Sequence, residues 1–463
     1  MTTETRIESD SMGEMDVPTT ALFGASTQRA VQNFPISGEP MDTVIIQAYG
    51  LIKWAAARAN ASLDEITDEQ ADLIEKASLE IYEGDLDDHF PIDAYQTGSG
   101  TSTNMNVNEV IANRCSQYLG KDLSKPKSIH PNDHVNKGQS SNDTFPTAIH
   151  IATAVTLKSN LIPALETLHH ELQKKSREFR SVRKIGRTHL MDATPISLGD
   201  EFSGYAEQIT KAVARAHKAI AVLHELPLGG TAVGTGLNCH PEFAQLAIES
   251  ICEKTGIPFH ETENHFEAQS ARDALVECHG QLNTIATSLH KIANDIRLMA
   301  SGPRCGLGEL TLPAVQPGSS IMPGKINPVI CEAVCMVAAR VFGNQTTVTW
   351  SGASGQLELN TFMPVMAKCV LESIRLLANV SQTFAGRCIH QIKPNIARCE
   401  ELIEMSLSMV TPLVPLIGYD RAAKLAKESA ENNVTIRQLC LEQLDDLGIT
   451  QQQLDEALRI GTR

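Results

Sequence analysis

A long, regular stripe of apolar residues in the middle of the chain constrains the fold more than any other feature. Between residues 275 and 299, apolar side chains recur at alternating spacings of three and four, which places them on one face of a helix. The members of the stripe are Leu275, Cys278, Leu282, Ile285, Leu289, Ile292, Ile296 and Met299. The pattern predicts one long helix that packs against other helices, as in a bundle.

Four further segments have helical character. Two of them are apolar stripes, one formed by Leu161, Leu165, Leu168 and Leu172 and the other by Leu359, Phe362, Met366, Cys369, Leu376 and Val380. The other two are residues 201–224 and 329–350. Because Pro163 and Pro364 fall within the stripes, we expect a kink or an offset helix start near each proline. Aromatic residues make up 4% of the chain and period-two alternation is scarce, so we expect few strands.

These segments predict a mainly α fold with a central, elongated, antiparallel five-helix bundle. We expect three parts: a mixed N-terminal domain over residues 1–139, the bundle over 140–394 and a small helical C-terminal domain over 395–463. The N-terminal domain should contain helices near 42–62, 67–83 and 104–119. Long helices are too thin to cover each other's apolar faces within one chain, so a remaining stripe would be buried between subunits, and we expect a homo-oligomer.

Composition excludes several classes of function. The chain has 39 Lys and Arg against 55 Asp and Glu, and a net charge of −16 has the wrong sign for a nucleic-acid partner. No run approaches the ~20 apolar residues needed to span a bilayer, and the first ten residues resemble neither a signal nor a transit peptide. We therefore expect a cytoplasmic protein without a membrane partner. The eleven cysteines contain no Cys-x-x-Cys pair, which predicts reduced thiols that pack in the core.

Two polar stretches carry many hydroxyl and amide side chains. Gly98–Asn106 lies just ahead of a predicted helix, where such side chains cap the helix and also offer hydrogen bonds to an anion. His130–Asp143 contains a second donor group in Ser140, Ser141 and Asn142, for which a turn followed by a helix cap is the alternative. His130 and His134 have the i, i+4 spacing of metal ligands, but Pro131 lies between them and no third ligand is evident, so a metal site is not expected.

Two more motifs interrupt the helical pattern. Thr188 and His189 lie in a polar loop that we expect just before a helix, and a histidine there can titrate near neutrality. The stretch Gly318–Pro328 superficially resembles a phosphate loop, but five residues rather than four separate Gly318 from Gly324, and Ile326 replaces the metal-binding hydroxyl. We expect a mobile loop whose hydroxyls, lysine and amide close over a carboxylate. No Gly-x-Gly-x-x-Gly follows a strand, so a dinucleotide-binding fold has no support.

Together, these four stretches resemble the fumarase/aspartase superfamily, and most closely its class II fumarate hydratases. The resemblance extends over the whole chain, from Arg6-Ile-Glu-Ser-Asp-Ser-Met-Gly13 and Thr27-Gln-Arg29 to Gly418-Tyr-Asp420. The loop from Gly318 to Asn327 matches the superfamily signature, and Gly324 is typical of fumarases. The resemblance implies reversible hydration of fumarate to L-malate in the tricarboxylic acid cycle, without a metal or cofactor.

The resemblance also implies a role for each motif residue. Ser319 would remove the C3 proton of malate, Lys325 would support it, and His189, paired with Glu332, would handle the water that adds or leaves. Substrate carboxylates would be bound by Ser99, Gly100, Thr101, Asn104, Ser140, Ser141, Asn142, Thr188, Ser320, Lys325, Ile326 and Asn327. A secondary dicarboxylate site would consist of His130, Pro131, Asn132 and Asp133. The family assembles as a homotetramer in which three chains contribute to each site.

Two alternative functions stay open on the sequence. Ser102-Thr103 and Asn327-Pro-Val-Ile depart from the usual fumarase pattern, and the second is closer to aspartases, so an aspartate ammonia-lyase is the first alternative. The other is a catalytically silent, lens-type structural protein on the same fold. Such a protein would lack the loop serine, the loop lysine or His189, and all three are present.

Overall fold

The computed structural model describes residues 4–125 and 127–459, and this part of the chain is mainly helical. The prediction of no leader segment concerns the first ten residues, of which 1–3 lie outside the described residues. The α-helices are α1 (Ala25–Asn33), α2 (Thr43–Ser62), α3 (Asp68–Glu83), α4 (Thr101–Tyr118), α5 (Ser141–Thr156), α6 (Ile162–Glu178), α7 (Leu198–Ala221), α8 (Phe243–Thr255), α9 (His265–Ser270), α10 (Asp273–Met299), α11 (Val329–Gly352), α12 (Met363–Arg387), α13 (Ile396–Met405), α14 (Val414–Ile417), α15 (Tyr419–Asn432), α16 (Ile436–Glu442), α17 (Leu444–Leu447) and α18 (Gln451–Ala457).

Strands are few and short, as the low aromatic content predicts. They are β1 (Thr5–Asp10), β2 (Gly13–Pro18), β3 (Arg183–Thr188), β4 (Met191–Ser197), β5 (Glu225–Leu226), β6 (His260–Glu261), β7 (Leu310–Thr311) and β8 (Lys393–Pro394). Each strand pairs with one other strand, and the pairs β1–β2, β3–β4 and β7–β8 are antiparallel whereas β5–β6 is parallel. These small ladders connect helices and form no common sheet.

The five long helices predicted from the apolar stripes are confirmed as α6, α7, α10, α11 and α12. The whole stripe of α10 is buried, which explains its three- and four-residue spacing. Pro364 occupies the second position of α12, where a missing N–H leaves no intrahelical bond unmade. Pro163 instead lies within the continuous helical stretch Ser141–Glu178, two residues after the turn of π-helix Leu157–Leu161. Pro364 therefore marks a helix start, whereas Pro163 falls where a longer helix departs from α geometry.

The described chain divides into two compact units, and this division falls within the long helices. Unit 1 comprises residues 1–163, 214–286 and 338–378, and unit 2 comprises residues 164–213, 287–337 and 379–463. The predicted three-part division at 139/140 and 394/395 is a different description of the chain and stays a proposal.

Unit 1 is built around α2, which is buried along most of its length and packs against α3, α5 and α8. Buried polar contacts also join three long helices in this unit. The imidazole of His279 on α10 forms hydrogen bonds with Gln345 on α11 and Ser373 on α12, at 2.8 and 2.9 Å. These bonds fix the rotation of the three helices relative to each other, since a buried imidazole requires both partners.

Unit 2 contains the other parts of the long helices and the C-terminal helices. The hydroxyl of Tyr205 on α7 donates to Asp295 on α10 at 3.0 Å, which joins these two helices. After residue 400, short helices surround a hydrophobic cluster of their own, which includes Ile403, Leu413 and Leu439. This cluster supports the predicted helical character of the C-terminal region.

One segment is more apolar than the sequence interpretation allowed. The helical stretch Ser141–Glu178 is 38 residues long and contains a window with a mean hydropathy of 1.2, so it could cross a membrane by length and composition. The expectation that no segment approaches this composition was therefore wrong. Because 72% of that window is buried inside the protein, the apolar composition fits a core helix that is surrounded by other elements.

The cysteines are free thiols, as the irregular spacing predicts. Seven of the eleven are buried and pack as small apolar side chains.

Candidate functional site

In unit 1, the start of α4 meets the start of α5, and hydroxyl groups join the two helix ends. The hydroxyl of Thr101 lies 2.7 Å from that of Ser99 and 2.6 Å from that of Ser141. Gly100 precedes α4 with φ of +73°, and a Cβ at this position would lie 2.1 Å from the ring of Phe145, so only glycine allows this approach. Two helix N-termini and three hydroxyls thus form a donor cluster suited to an anion.

Helix α4 begins three residues earlier than the sequence predicts. Thr101 therefore lies on its first turn rather than ahead of it. In that turn the N–H of Thr103 donates to the side-chain oxygen of Gln96 at 3.0 Å, so the first two residues of the helix are the ones whose N–H groups can serve a ligand.

The side chains around Ser140 mainly stabilise the start of α5. The Ser140 hydroxyl accepts the N–H of Asn142 at 3.2 Å, while Asp143 accepts the N–H of Ser140 at 2.9 Å, which is a capping box. The capping alternative therefore describes the Ser140 side chain in this structure. The other oxygen of Asp143 accepts the N–H groups of Gly229 and Thr231, and burial raises the pKa of Asp143 to about 6. Asn142 is held by a 2.8 Å hydrogen bond to the carbonyl of Ala232.

A buried lysine beside this cluster was missed in the sequence. Lys53 on α2 is fully buried, and its ammonium donates to the side-chain oxygens of Asn104, Asn136 and Gln139 at 2.9, 3.0 and 2.9 Å. Burial lowers the pKa of Lys53 to about 7, and the charge of Asp143 opposes this effect. The available signal was a single lysine within the otherwise uncharged run from residue 43 to 57.

The residues predicted to form a secondary dicarboxylate site lie on a turn of π-helix, Pro131–Val135, that is largely exposed. His130 accepts the N–H of Asp133 through Nδ1 at 3.1 Å and lies 3.2 Å from its carboxylate. His134 Nδ1 instead accepts the backbone N–H of His130, and its Nε2 contacts Gln70. The two imidazoles are therefore occupied separately, and the described residues contain no group of three or more metal-binding side chains.

In unit 2, Thr188 and His189 lie at the end of a β-hairpin. The sequence prediction placed them just before a helix; instead β4 follows, and α7 begins only at Leu198. His189 and Leu190 form a two-residue turn with φ of +58° and +62°, the φ pattern of a type I′ turn. The prediction was wrong because this turn normally contains Asn-Gly, and neither residue here is typical of it. The imidazole of His189 is exposed at the tip.

Buried charges anchor strand β3 of this hairpin, from Lys184 near its open end to Arg187 next to the turn. The guanidinium of Arg187 donates to both carboxylate oxygens of Glu309 at 2.9 and 3.0 Å, and Glu309 is fully buried. The ammonium of Lys184 lies 3.6 Å from Glu309 and 2.9 Å from Glu201. A bulge between Ile185 and Arg187 shifts the register of β3, which allows both cations to reach one carboxylate.

The loop from Gly318 to Asn327 is closed at its base by a side-chain amide. Asn327 donates to the carbonyl of Gly318 at 2.6 Å, and a Cβ on Gly318 would lie 2.0 Å from the carbonyl oxygen of Lys325. Within the loop, the hydroxyl oxygen of Ser319 accepts the N–H groups of Ile321 and Met322 at 3.2 and 3.0 Å.

The same loop surrounds a surface cavity of about 500 Å³. Ser319, Lys325 and Ile326 line it, whereas Ser320 is exposed on the loop. Lys325 therefore adds positive charge to a cavity that Ser319 also lines.

Glu332 lies in the first turn of α11. No hydrogen bond or ion pair joins it to His189 in residues 4–125 and 127–459, so their pairing stays a prediction.

Each unit therefore holds one part of the predicted set. Unit 1 brings together the hydroxyls of Ser99, Thr101 and Ser141. Asn104, on the same helix as Thr101, accepts a hydrogen bond from Lys53. Unit 2 carries the hairpin with Thr188 and His189, the loop with Ser319, and Glu332.

Comparisons with known proteins identify the family of the chain. Two family models match the chain, one described as lyase over residues 13–343 and one described as fumarase C C-terminus over residues 409–462. The class II fumarate hydratase of Corynebacterium glutamicum is 52% identical over 460 residues, which cover 99% of this chain and 96% of the relative. The mitochondrial fumarate hydratase of Mus musculus is 52% identical over 454 residues, which cover 97% of this chain and 89% of the relative.

The fold agrees as well. The crystal structure of class II fumarase from Schistosoma mansoni superposes with a TM-score of 0.94 at 39% sequence identity and covers 98% of both chains. The predicted fold class, mainly α and fumarase/aspartase-like, is thereby confirmed. The chain belongs to the class II fumarate hydratase family.

Proposed function

We infer that this chain is a hydro-lyase that catalyses the reversible, stereospecific hydration of fumarate to L-malate. Membership of the family supports this activity, and one observation in the structure carries the chemistry. The hydroxyl oxygen of Ser319 accepts two backbone N–H groups within a loop that also presents Lys325. A serine oxygen surrounded in this way is prepared to hold negative charge.

The difficult step is removal of the C3 proton of malate. A C–H beside a carboxylate is a very weak acid, since its loss places a second negative charge on that carboxylate. We propose Ser319 as the base: the N–H groups of Ile321 and Met322 lower the energy of its alkoxide, and Lys325 adds a cation. Hydrogen-bond donors that already point at the aci-carboxylate then stabilise the carbanion, because they need not reorient as the charge develops.

The second step is departure of the hydroxyl group. Hydroxide is a poor leaving group and must be protonated as it leaves, and we propose that His189 donates this proton and takes it back during hydration. Glu332 would raise the basicity of the imidazole from the outer side. With base and acid on opposite faces of the substrate, elimination is anti.

Carboxylate recognition is the proposed role of the neutral donors. Ser99, Thr101, Ser141 and the N-termini of α4 and α5 supply hydroxyl and backbone donors, which suit a dianion because they donate hydrogen bonds to it without giving up a proton. The other proposed binding residues are Gly100, Asn104, Ser140, Asn142, Thr188, Ser320, Lys325, Ile326 and Asn327. We also propose that His130, Pro131, Asn132 and Asp133 bind a second dicarboxylate.

We propose that the enzyme is a homotetramer in which several chains contribute to one site. The support is that His189 and Lys325 are exposed, Ser319 is half-buried, and exposed apolar side chains lie beside them: Leu190 and Met191 at the hairpin tip are 74% and 70% exposed, and Ile321 in the loop is 83% exposed. Apolar side chains beside catalytic groups favour burial against another copy.

Hybrid enzymes test this assembly. His189→Asn and Thr101→Ala are inactive as separate preparations on this proposal. When the two are dissociated, mixed and reassociated, some sites receive a native His189 from one chain and a native Thr101 from another, so activity returns. The molar mass from analytical ultracentrifugation should correspond to four chains. Failure of the mixture to regain activity under conditions that restore the dissociated wild type contradicts shared sites.

The absorbance of fumarate near 240 nm tests the reaction. L-malate added to the purified protein should produce an increase, fumarate should produce a decrease, and L-aspartate should produce no change. Formation of fumarate from aspartate alone would instead establish an aspartate ammonia-lyase, and no change with any of the three would leave the structural-protein alternative.

We propose a cytoplasmic location and a role in the tricarboxylic acid cycle. The acidic composition is compatible with the cytoplasm, although the mouse relative is described as mitochondrial. Cell fractionation with the activity assay tests the location.

A further inference from the structure

Lys53 is a fully buried cation whose hydrogen-bond partners are all neutral. Its ammonium donates to three side-chain amides, and no carboxylate of residues 4–125 and 127–459 lies within hydrogen-bond distance. Asp143 is the neighbouring negative charge, and its oxygens are occupied by the backbone N–H groups of Ser140, Gly229 and Thr231. A buried charge of this kind is costly unless its surroundings compensate for it.

The arrangement of the three amides follows from the chemistry of an ammonium group. An ammonium donates three hydrogen bonds and accepts none, so Asn104, Asn136 and Gln139 must each turn their oxygen towards it. Their NH₂ groups then point away from the lysine. Asn104 donates to the Asn136 oxygen at 3.1 Å and Asn136 donates to the backbone carbonyl of Gln139 at 3.0 Å.

The amide of Gln139 continues this pattern by donating to the carbonyls of Val135 and Lys137, both at 3.1 Å. One cation therefore fixes the first turn of α4, through Asn104, and the segment 135–139 that leads directly into Ser140 at the start of α5. The hydroxyl contact between Thr101 and Ser141 lies between the same two helix ends, at 2.6 Å.

We propose that Lys53 is a positioning residue for the dicarboxylate-binding cluster, which sets the separation of the α4 and α5 N-termini through Asn104, Asn136 and Gln139. This inference rests on the proposed function, because it assigns substrate carboxylates to that cluster. Lys53 does not touch the substrate. Its positive charge also lies beneath the cluster and adds to the attraction for a dianion.

The test compares Michaelis constants in two variants. Lys53→Met removes the cation with little change in volume, and Asn136→Leu removes the central amide while Lys53 stays. We expect each variant to raise KM for L-malate at least tenfold and to change kcat per folded enzyme less than threefold. The double variant should raise KM by clearly less than the product of the single effects, because both substitutions break one network.

Lys175→Met is the matched control. Lys175 is also buried and pairs with Glu178 and the carbonyl of Ile392, so its loss should reduce stability and leave KM unchanged. A purely structural role for Lys53 would lower the folded fraction and the apparent kcat at an unchanged KM. That result in Lys53→Met overturns the proposal, and if this variant does not fold, an unchanged KM in Asn136→Leu does so. Absence of fumarate formation by the wild type would instead contradict the proposed function.

Discussion

The ion pair of Arg187, next to the turn of the His189 hairpin, allows a quantitative prediction. Arg187→Gln removes the guanidinium that donates to both oxygens of Glu309, whose side chain has no exposed area. Removing one partner of a buried pair costs about 3–5 kcal/mol, because the other charge stays buried without compensation. Lys184 stays 3.6 Å from the carboxylate, so we expect the lower end of this range, about 3 kcal/mol for each chain.

The same substitution should affect catalysis through the hairpin. Arg187 immediately precedes Thr188 and His189, so loss of this anchor allows the imidazole at the tip to leave its reactive position. We expect kcat to fall about tenfold, which corresponds to about 1.4 kcal/mol in the activation free energy. The KM for malate should change less, since the cluster around Thr101 is untouched.

Urea unfolding and steady-state kinetics measure the two effects. All samples should have the same protomer concentration, because assembly contributes to apparent stability. Arg375→Gln is the control: it removes the same charge from a largely exposed pair with Asp42, which contributes about 0–1 kcal/mol. The reasoning is refuted if Arg187→Gln unfolds at the urea concentration of the control and turns over malate at the wild-type rate.

Three other outcomes follow from the structure. Ser319→Ala should lower kcat by about 10²–10⁴-fold with thermal stability preserved, because it removes the proposed base from an exposed loop; a rate within threefold of wild type would assign the base elsewhere. Gly318→Ala should also reduce kcat, since its Cβ would lie 2.0 Å from the Lys325 carbonyl oxygen and would open the loop; an unchanged kcat speaks against the closed form. The imidazole of His150 is buried, which lowers its pKa to about 3, so the unfolded chain binds one more proton between about pH 3 and 6.5 and stability falls as pH falls through this range. At pH 5 the loss from this group is about 2 kcal/mol, and acid unfolding of His150→Gln should depend less steeply on pH; equal slopes would contradict the prediction.

The sequence predicted the helical framework because the spacing of apolar residues within each long helix shows which of its faces is buried. The stripe from Leu275 to Met299 requires no knowledge of its partners, since the three- and four-residue spacing follows from helix geometry alone. Helix starts were less accurate: α4 begins at Thr101, where the polar residues of the motif form the first turn instead of preceding it.

The site was predictable as a set of motifs and much less as an arrangement. The β3–β4 hairpin escaped prediction because β3 contains Lys, Gly and Arg without alternation, and because its turn lacks the usual residues. The role of Lys53 could not be predicted, because its three partners follow it by 51 to 86 positions. The sequence alone does not show that residues so far apart lie close together in the fold. The resemblance to a family supplied the proposed roles of the residues, and the structure supplied the contacts that position their side chains.

The left-handed conformation of His189 and Leu190 has a consequence for how this enzyme can change over evolutionary time. Two successive residues with side chains in that region cost the folded state about 1–2 kcal/mol each, and glycine at position 190 would relieve the share of Leu190. A single substitution to glycine would therefore make the chain more stable, but the more flexible turn would no longer fix the position of the His189 imidazole. Selection for thermal stability and selection for catalytic turnover therefore act in opposite directions at this two-residue turn.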